Sequence, residues 1–419
     1  MSEMTAMRKR DPSLGVATLL VLAILWAVVG WELWQTTVPS DLRLPHLDAR
    51  DYFTAAELRR GDSYERFHRV NWLLTTIALF AVLAWYSVRG ARFARESAAG
   101  RIGTGMLLAM LGFGLVWLVE LPFAVAGNWW DRRHDVSKVG YVDLVFGGWL
   151  QLGAEFLFLS LAVLIVMGLA GIFGDRWWIP GSAAFIALAA LFLYISPYVV
   201  TDAHGIDDAR LEADVRRLAT LEGVPDVPVS VEDVDRYTSA ANAYATGIGP
   251  SRKVFLWNTL LDGRFPGREV RVVVAHEFGH QARNHLWKGI AWYALFAIPG
   301  AWLIARVTRR RGGMRAPEAV PLALITLVGL SFIALPFQNL ISRHLEAEAD
   351  WRALETTRDP GAATGLFHRF AVTSFGDPTP PGWAYLLLDT HPPLLDRIEM
   401  AEAWRRRHPG AVPLFGGAR

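Results

Sequence analysis

The sequence predicts a mainly α, polytopic membrane bundle of seven helices carrying a small α+β domain outside the lipid. Three observations point there. The 419 residues are 53% hydrophobic and only 20% charged, too apolar for a soluble globule and too long for one domain. Seven apolar runs have membrane-spanning length, near 14–34, 70–88, 102–126, 146–173, 179–200, 286–307 and 317–341. Between the fifth and sixth runs, and again after the seventh, lie polar segments of about 80 residues each that are long enough to fold outside lipid.

The first run follows the basic stretch MRKR and is read as a retained anchor, because it is long and no small-x-small cleavage site follows it. The organisation expected is therefore 1–200 as a membrane region with five spans, 201–285 as an insert, 286–341 as two further spans, and 342–419 as a second polar part. A net charge of +2 gives no reason to expect a nucleic-acid partner. Cysteine is absent, which excludes disulfides, thiolate metal sites and cysteine nucleophiles. Any metal must be held by His, Asp or Glu.

Within the insert, DDARLEADVRRLATLEGV has the pattern of an amphipathic helix and VPVSVEDV that of a strand. ANAYATGIGPSRKVFLWNTLL reads as two strands joined by a turn at Gly247, Gly249 and Pro250. A helix from about Glu269 then carries VVVAHEFGHQARNH. On that helix His276 and His280 stand about 40° apart in azimuth and about 6 Å apart along the axis, close enough to grip one ion. Glu277 sits beside them, free to take a proton from a water.

An HExxH pair needs a third ligand. Downstream, NLISRHLEAEAD sets Glu346, Glu348 and Asp350 on what reads as another helix, Glu346 and Asp350 sharing a face. Glu346 could complete a His2Glu site, and Asp350 could hydrogen-bond the outer nitrogen of a ligating His and fix its tautomer. Taken alone, such an acidic cluster is more often a solvated helix face; beside an HExxH pair the balance reverses.

Four ordered motifs, NAYATGIGPSRKVFLWNTLL, VVAHEFGHQARNH, SRHLEAEAD and THPPLLDRIEMA, resemble the integral-membrane zinc metallopeptidases of the CAAX prenyl protease type (Ste24-like, M48) and, more distantly, the HtpX-like proteases. LPFAVAGNWWDRRHDVSKVGYVDL resembles a degraded form of the loop after the third span in those proteins. The resemblance implies one zinc per chain held by His276, His280 and Glu346, with Glu277 as catalytic glutamate. Glu348 does not fit the third-ligand place, and its loss is expected to leave the metal bound. Asn242 matches the Asn that touches substrate backbone, and His391 the His that steadies the tetrahedral intermediate. His285 and His344 have no counterpart; five residues beyond His280, His285 would point about 140° away on a continuing helix, so both are expected to be structural or solvent-facing. The resemblance also implies a zincin-type catalytic domain over a hydrated chamber inside the bundle.

The substrate expected is a membrane-associated or unfolded protein, lying extended along 241–246 or 253–257 as an added strand. An intramembrane-protease reading fails on Arg264, Arg268, Glu269, Arg271 and Arg283, which flank the HExxH helix and would be intolerable in hydrocarbon. A silent sensor or chaperone retaining the zinc fold is the competing reading, and the intact Glu277 speaks against it. Arginine and lysine at 8–10, 89–101 and 306–315 share the face opposite the insert, which tips the site slightly toward the exterior by the positive-inside rule, against six arginines, offset by acids, in the 35–69 loop and against prenyl-protease relatives, which put it on the cytosolic side. Neither the oligomeric state nor the identity of the substrate is encoded in any motif.

Overall fold

The structure, a computed structural model, describes residues 16–415. The basic residues Arg8, Lys9 and Arg10 and the first two positions of the 14–34 run lie outside them. Helix α1 (Val16–Leu33) belongs to a unit of its own that ends at Gln35. Its sequence is strongly apolar apart from Thr18 and Glu32, and Ala23–Leu33 within it forms a shorter apolar helix.

The second unit begins at Thr36. Among the described residues, six of its helices are long and apolar enough to cross a bilayer. They are α2 (Ala55–Arg89), α3 (Gly100–Arg133), α4 (Tyr141–Phe173), α5 (Trp178–Val199), α8 (His285–Thr308) and α9 (Val320–Thr357). Each matches one expected apolar run, but the helices overshoot the runs. Helix α2 starts fifteen residues before residue 70, where Thr54 accepts from Glu57 N–H and the Glu57 carboxylate accepts from Thr54 N–H, a capping box that fixes the start in a charged stretch. Helix α9 runs 38 residues without a break through Pro336. The acidic cluster therefore continues the seventh span on one helix.

The six form a closed ring in which α2 packs on α3, α3 on α4, α4 on α5, α5 on α8, α8 on α9 and α9 back on α2. The end remote from the soluble domain is closed by a plug of Leu108, Met167, Trp177, Ala305, Met314 and Val320. Arginines fasten this plug: Arg315 donates to the Ala170 carbonyl (2.8 Å), Arg309 pairs with Asp175 (3.0 Å) and Arg311 donates to the Ser87 carbonyl. Half-way along the ring, Glu120 on α3 and Glu155 on α4 are both half-buried.

The soluble domain holds β1 (Ala203–His204), α6 (Ala209–Leu221), β2 (Val229–Glu232), β3 (Ala243–Thr246), β4 (Lys253–Trp257) and α7 (Gly267–Ala282), then α10 (Pro360–Thr373), α11 (Gly382–Leu387) and α12 (Leu394–Arg407) after α9. The sheet order is β1-β2-β4-β3, with β2 parallel to β4 and β3 antiparallel to it. The turn from β3 to β4 needs glycine at 247: φ is +78° there, and a Cβ would fall 2.1 Å from the Ser251 carbonyl oxygen. Strand β4 is flanked on both sides, so of the two expected docking strands 253–257 is excluded and only β3 lies at an edge of the sheet. Trp257 N–H donates to the Asn242 carbonyl, and antiparallel alternation from that rung turns the backbone groups of Ala243 and Ala245 away from β4, toward the open edge.

Beneath the sheet, α7 is buried along nearly its whole length, in a core with Val254, Leu256, Phe278, Leu354 and Ile398. Residues 36–53, read from sequence as part of the membrane region, instead strap across this domain: Val38, Leu42, Leu47 and Phe53 pack on the same core, and Leu47 N–H donates to Glu399 (2.9 Å).

Candidate metal centre

Helix α7 sets His276 and His280 one turn apart, with their Nε2 atoms 3.0 Å from each other. Helix α9 passes alongside, and the approach is close because Gly279 faces Ala349: a Cβ at 279 would already be in contact with the Ala349 Cα at 3.4 Å. That contact brings Glu346 to the pair. Its Oε2 lies 3.1 Å from His276 Nε2 and its Oε1 3.5 Å from His280 Nε2. The three ligand atoms fall within 4.8 Å of one another.

Asp350, one turn beyond Glu346, takes His276 from behind: its Oδ1 lies 2.9 Å from His276 Nδ1. Arg397 of α12 grips the same carboxylate with two hydrogen bonds of 2.7 and 2.6 Å. A carboxylate so held only accepts, so His276 carries its proton on Nδ1 and turns the Nε2 lone pair toward Glu346. There, Glu346 Oε2 is buried with no hydrogen-bond donor. Two imidazole nitrogens and a carboxylate converging this closely are the arrangement that a divalent cation stabilises, and the geometry of the residues fits one.

Glu277 is 7% exposed next to this cluster. Burial pushes its carboxyl pKa upward, against the opposing influence of His276, His280 and the Ala245 backbone in β3. His391, in the segment between α11 and α12, brings Nε2 to 3.3 Å from Glu346 Oε2 while its side chain stays 56% exposed. That segment hangs from α9 through Arg343, which donates to the carbonyls of Tyr385 (2.7 Å) and Asp389 (2.6 Å). Asn242 stands exposed at the head of β3, outside the cluster.

Two residues join the site that sequence reasoning left out. Arg397 lies inside the THPPLLDRIEMA motif, six residues after His391, but nothing in spacing alone ties it to Asp350. His285, expected to be structural or solvent-facing, is buried with Nδ1 2.9 Å from His280 Nδ1. The 140° rotation assumed a continuing helix, whereas α7 stops at Ala282 and Asn284 adopts the left-handed conformation at φ 53°, which swings His285 back over His280. His344 remains half-buried on α9.

The sequence pattern of peptidase family M48 matches residues 206–405, which contain the HExxH and Glu346 elements. Beyond it, the chain is 30% identical over 241 residues to the Protease HtpX homolog 1 of Streptomyces coelicolor, covering 55% of this chain and 73% of that protein. The chain belongs to peptidase family M48. This M48 chain is also 28% identical over 303 residues to the uncharacterized metalloprotease YhfN of Bacillus subtilis, across 68% of the chain and 70% of that protein. To the CAAX prenyl protease 1 homolog of Oryza sativa it is 23% identical over 351 residues, 78% of this chain and 81% of that one. The crystal structure of S. mikatae Ste24p superposes with a TM-score of 0.71 at 16% identity, covering 94% of this chain and all of that one, so the two share a fold. Together with the six apolar helices, this makes the M48 chain a Ste24-like, multi-pass membrane metalloprotease.

Proposed function

We propose that the protein is a zinc metalloendopeptidase that hydrolyses membrane-associated or unfolded polypeptides close to the bilayer surface. The observation that carries this reading is the convergence of two imidazole Nε2 atoms and the Glu346 carboxylate beside a buried Glu277. His276, His280 and Glu346 would hold one zinc per chain. When bound there, zinc supplies Lewis acidity, polarising the scissile carbonyl and lowering the pKa of a water to about 7.

The remaining chemistry belongs to the chain. Glu277, with its pKa raised by burial, takes the proton of the attacking water and returns it to the departing amine. His391, exposed and within reach of Glu346, offers an N–H to the developing oxyanion. An extended substrate pairs along β3 through the outward N–H and carbonyl of Ala243 and the carbonyl of Ala245, and Asn242 aligns its backbone at the strand head. Because main-chain groups do the aligning, many side chains are accepted. The expected organisation, five spans before the catalytic insert and two after it, is consistent with α1 serving as the first span.

The membrane is the cell membrane, with the catalytic end outside the cytoplasm. Arg309, Arg310, Arg311 and Arg315, at the opposite end of the ring, support that orientation. In a chain without native cysteine, Tyr237→Cys at the catalytic end should then react with an impermeant thiol reagent on intact cells. The activity is tested with protein in lipid nanodiscs and an unfolded, lipid-anchored polypeptide, comparing the native chain, a chelated sample and Glu277→Gln. Cleavage should occur with the native chain alone. Zinc binding without turnover in the native chain would instead favour a sensor or chaperone.

A further inference from the structure

Glu348 was expected to be a bystander beside the third ligand. Its side chain is completely buried and four donors converge on it: Arg283 Nε (2.8 Å) and Thr37 N–H (2.8 Å) on Oε1, His285 Nε2 (2.9 Å) and Lys288 Nζ (3.2 Å) on Oε2. A carboxylate facing a guanidinium and an ammonium is ionised and can only accept. His285 must therefore carry a proton on Nε2. In the neutral ring, Nδ1 then holds a lone pair, and it faces His280 Nδ1 at 2.9 Å. His280 must donate across that contact, so its own proton sits on Nδ1 and its Nε2 lone pair points at Glu346. The opposite arrangement would put the proton on His280 Nε2 and close the cluster to a cation.

We propose that Glu348 and His285 form a positioning relay that fixes the tautomer and orientation of His280, as Asp350 does for His276. Each imidazole of the HExxH pair thus has its own carboxylate: one directly, the other through a second imidazole. The relay exists because the chain breaks at Asn284 and restarts α8 with His285 as its first residue. Thr37, on the strap, closes the Glu348 pocket with its backbone N–H. Partners of this kind typically contribute 10- to 100-fold in metal affinity by orienting the ligand and raising its basicity. The inference rests on the reading of His280 as a metal ligand.

The test is zinc affinity measured by chelator competition on full-length protein, with three substitutions at 285 that separate the two ends of the ring. His285→Phe removes both ends and should weaken zinc binding about 10- to 100-fold. His285→Asn places an amide oxygen near the Nδ1 position, accepts from His280 and should recover most of the loss. His285→Gln keeps a polar group toward Glu348, offers His280 nothing and should stay weak. Melting temperatures of the metal-free variants report packing separately. Equal affinities for the Asn and Gln variants, or a Phe variant within about twofold of native, would overturn the relay; if the Phe variant does not fold, the Asn and Gln order decides alone. Glu346→Ala is measured in parallel. Native zinc affinity in that variant would overturn the metal reading, whereas its loss beside an indifferent 285 series would overturn only the relay.

Discussion

Proline placed at alternate positions of β3 tests whether the open edge receives substrate. Ala243 directs its N–H to the free edge, whereas the N–H of Tyr244, opposite Phe255, belongs to the ladder with β4. Ala243→Pro therefore removes one donor that the fold does not use. A net protein hydrogen bond is worth about 0.5–1.5 kcal/mol, which converts to a loss of about 2- to 13-fold in kcat/KM. Asn242, the preceding residue, lies in an extended segment that tolerates a following proline. Tyr244→Pro breaks the ladder itself, and the Tyr244 hydroxyl also donates to Glu232 (2.9 Å), so this variant should lose thermal stability before its kinetics are interpretable. The assay is peptide hydrolysis over a concentration series, with melting curves for both variants. If Ala243→Pro cleaves extended peptides at the native kcat/KM with an intact melting curve, substrate does not pair at this edge. If both prolines destabilise alike, the assigned register is wrong.

Four further outcomes are expected. Glu277→Gln should retain stoichiometric zinc while hydrolysis falls to background, and Glu346→Ala should lose the metal itself, as read by metal content of purified protein. Single cysteines at or next to Glu120 and Glu155 should react with a small water-soluble thiol reagent if the ring encloses the hydrated chamber that the resemblance implies; labelling there by lipid-soluble reagents alone would mean a packed bundle. Glu222→Ala removes a buried carboxylate that accepts from Arg352 at 3.0 and 2.6 Å and from Thr356, and should cost about 2 kcal/mol in unfolding free energy with zinc stoichiometry unchanged.

What the sequence disclosed depended on how local the determining interaction is. His276, Glu277 and His280 are legible because helical periodicity alone puts them together, and the spans because apolar length is a local property. Span ends were less legible: hydropathy marks where lipid stops, whereas α2 and α9 continue past that point on their own hydrogen bonds and caps. Arg397 and Glu348 escaped because their partners lie 47 and 63 residues away in the chain. His285 was misplaced by a single left-handed residue, Asn284, that no pattern announced. The strap at 36–53 has no periodicity to detect, since it is held partly by backbone N–H groups reaching Glu348 and Glu399. Strand order, which makes β3 rather than β4 the free edge, arises from a parallel pairing of β2 with β4 that skips over β3.

The continuity of α9 ties one ligand to the lipid mechanically. Its apolar stretch from Val320 to Ile341 spans about 33 Å, slightly more than the ~30 Å hydrocarbon thickness of an average bilayer, and such an excess is relieved by tilt. Glu346 and Asp350 ride on that same rod, whose far end (Trp351, Leu354) packs with α7 in the soluble core beside His276 and His280. A change in membrane thickness would therefore reach Glu346 along the rod and be resisted by that shared core. Reconstitution in lipids of graded acyl length, with zinc affinity as the readout, would turn the enzyme into a gauge of hydrophobic mismatch.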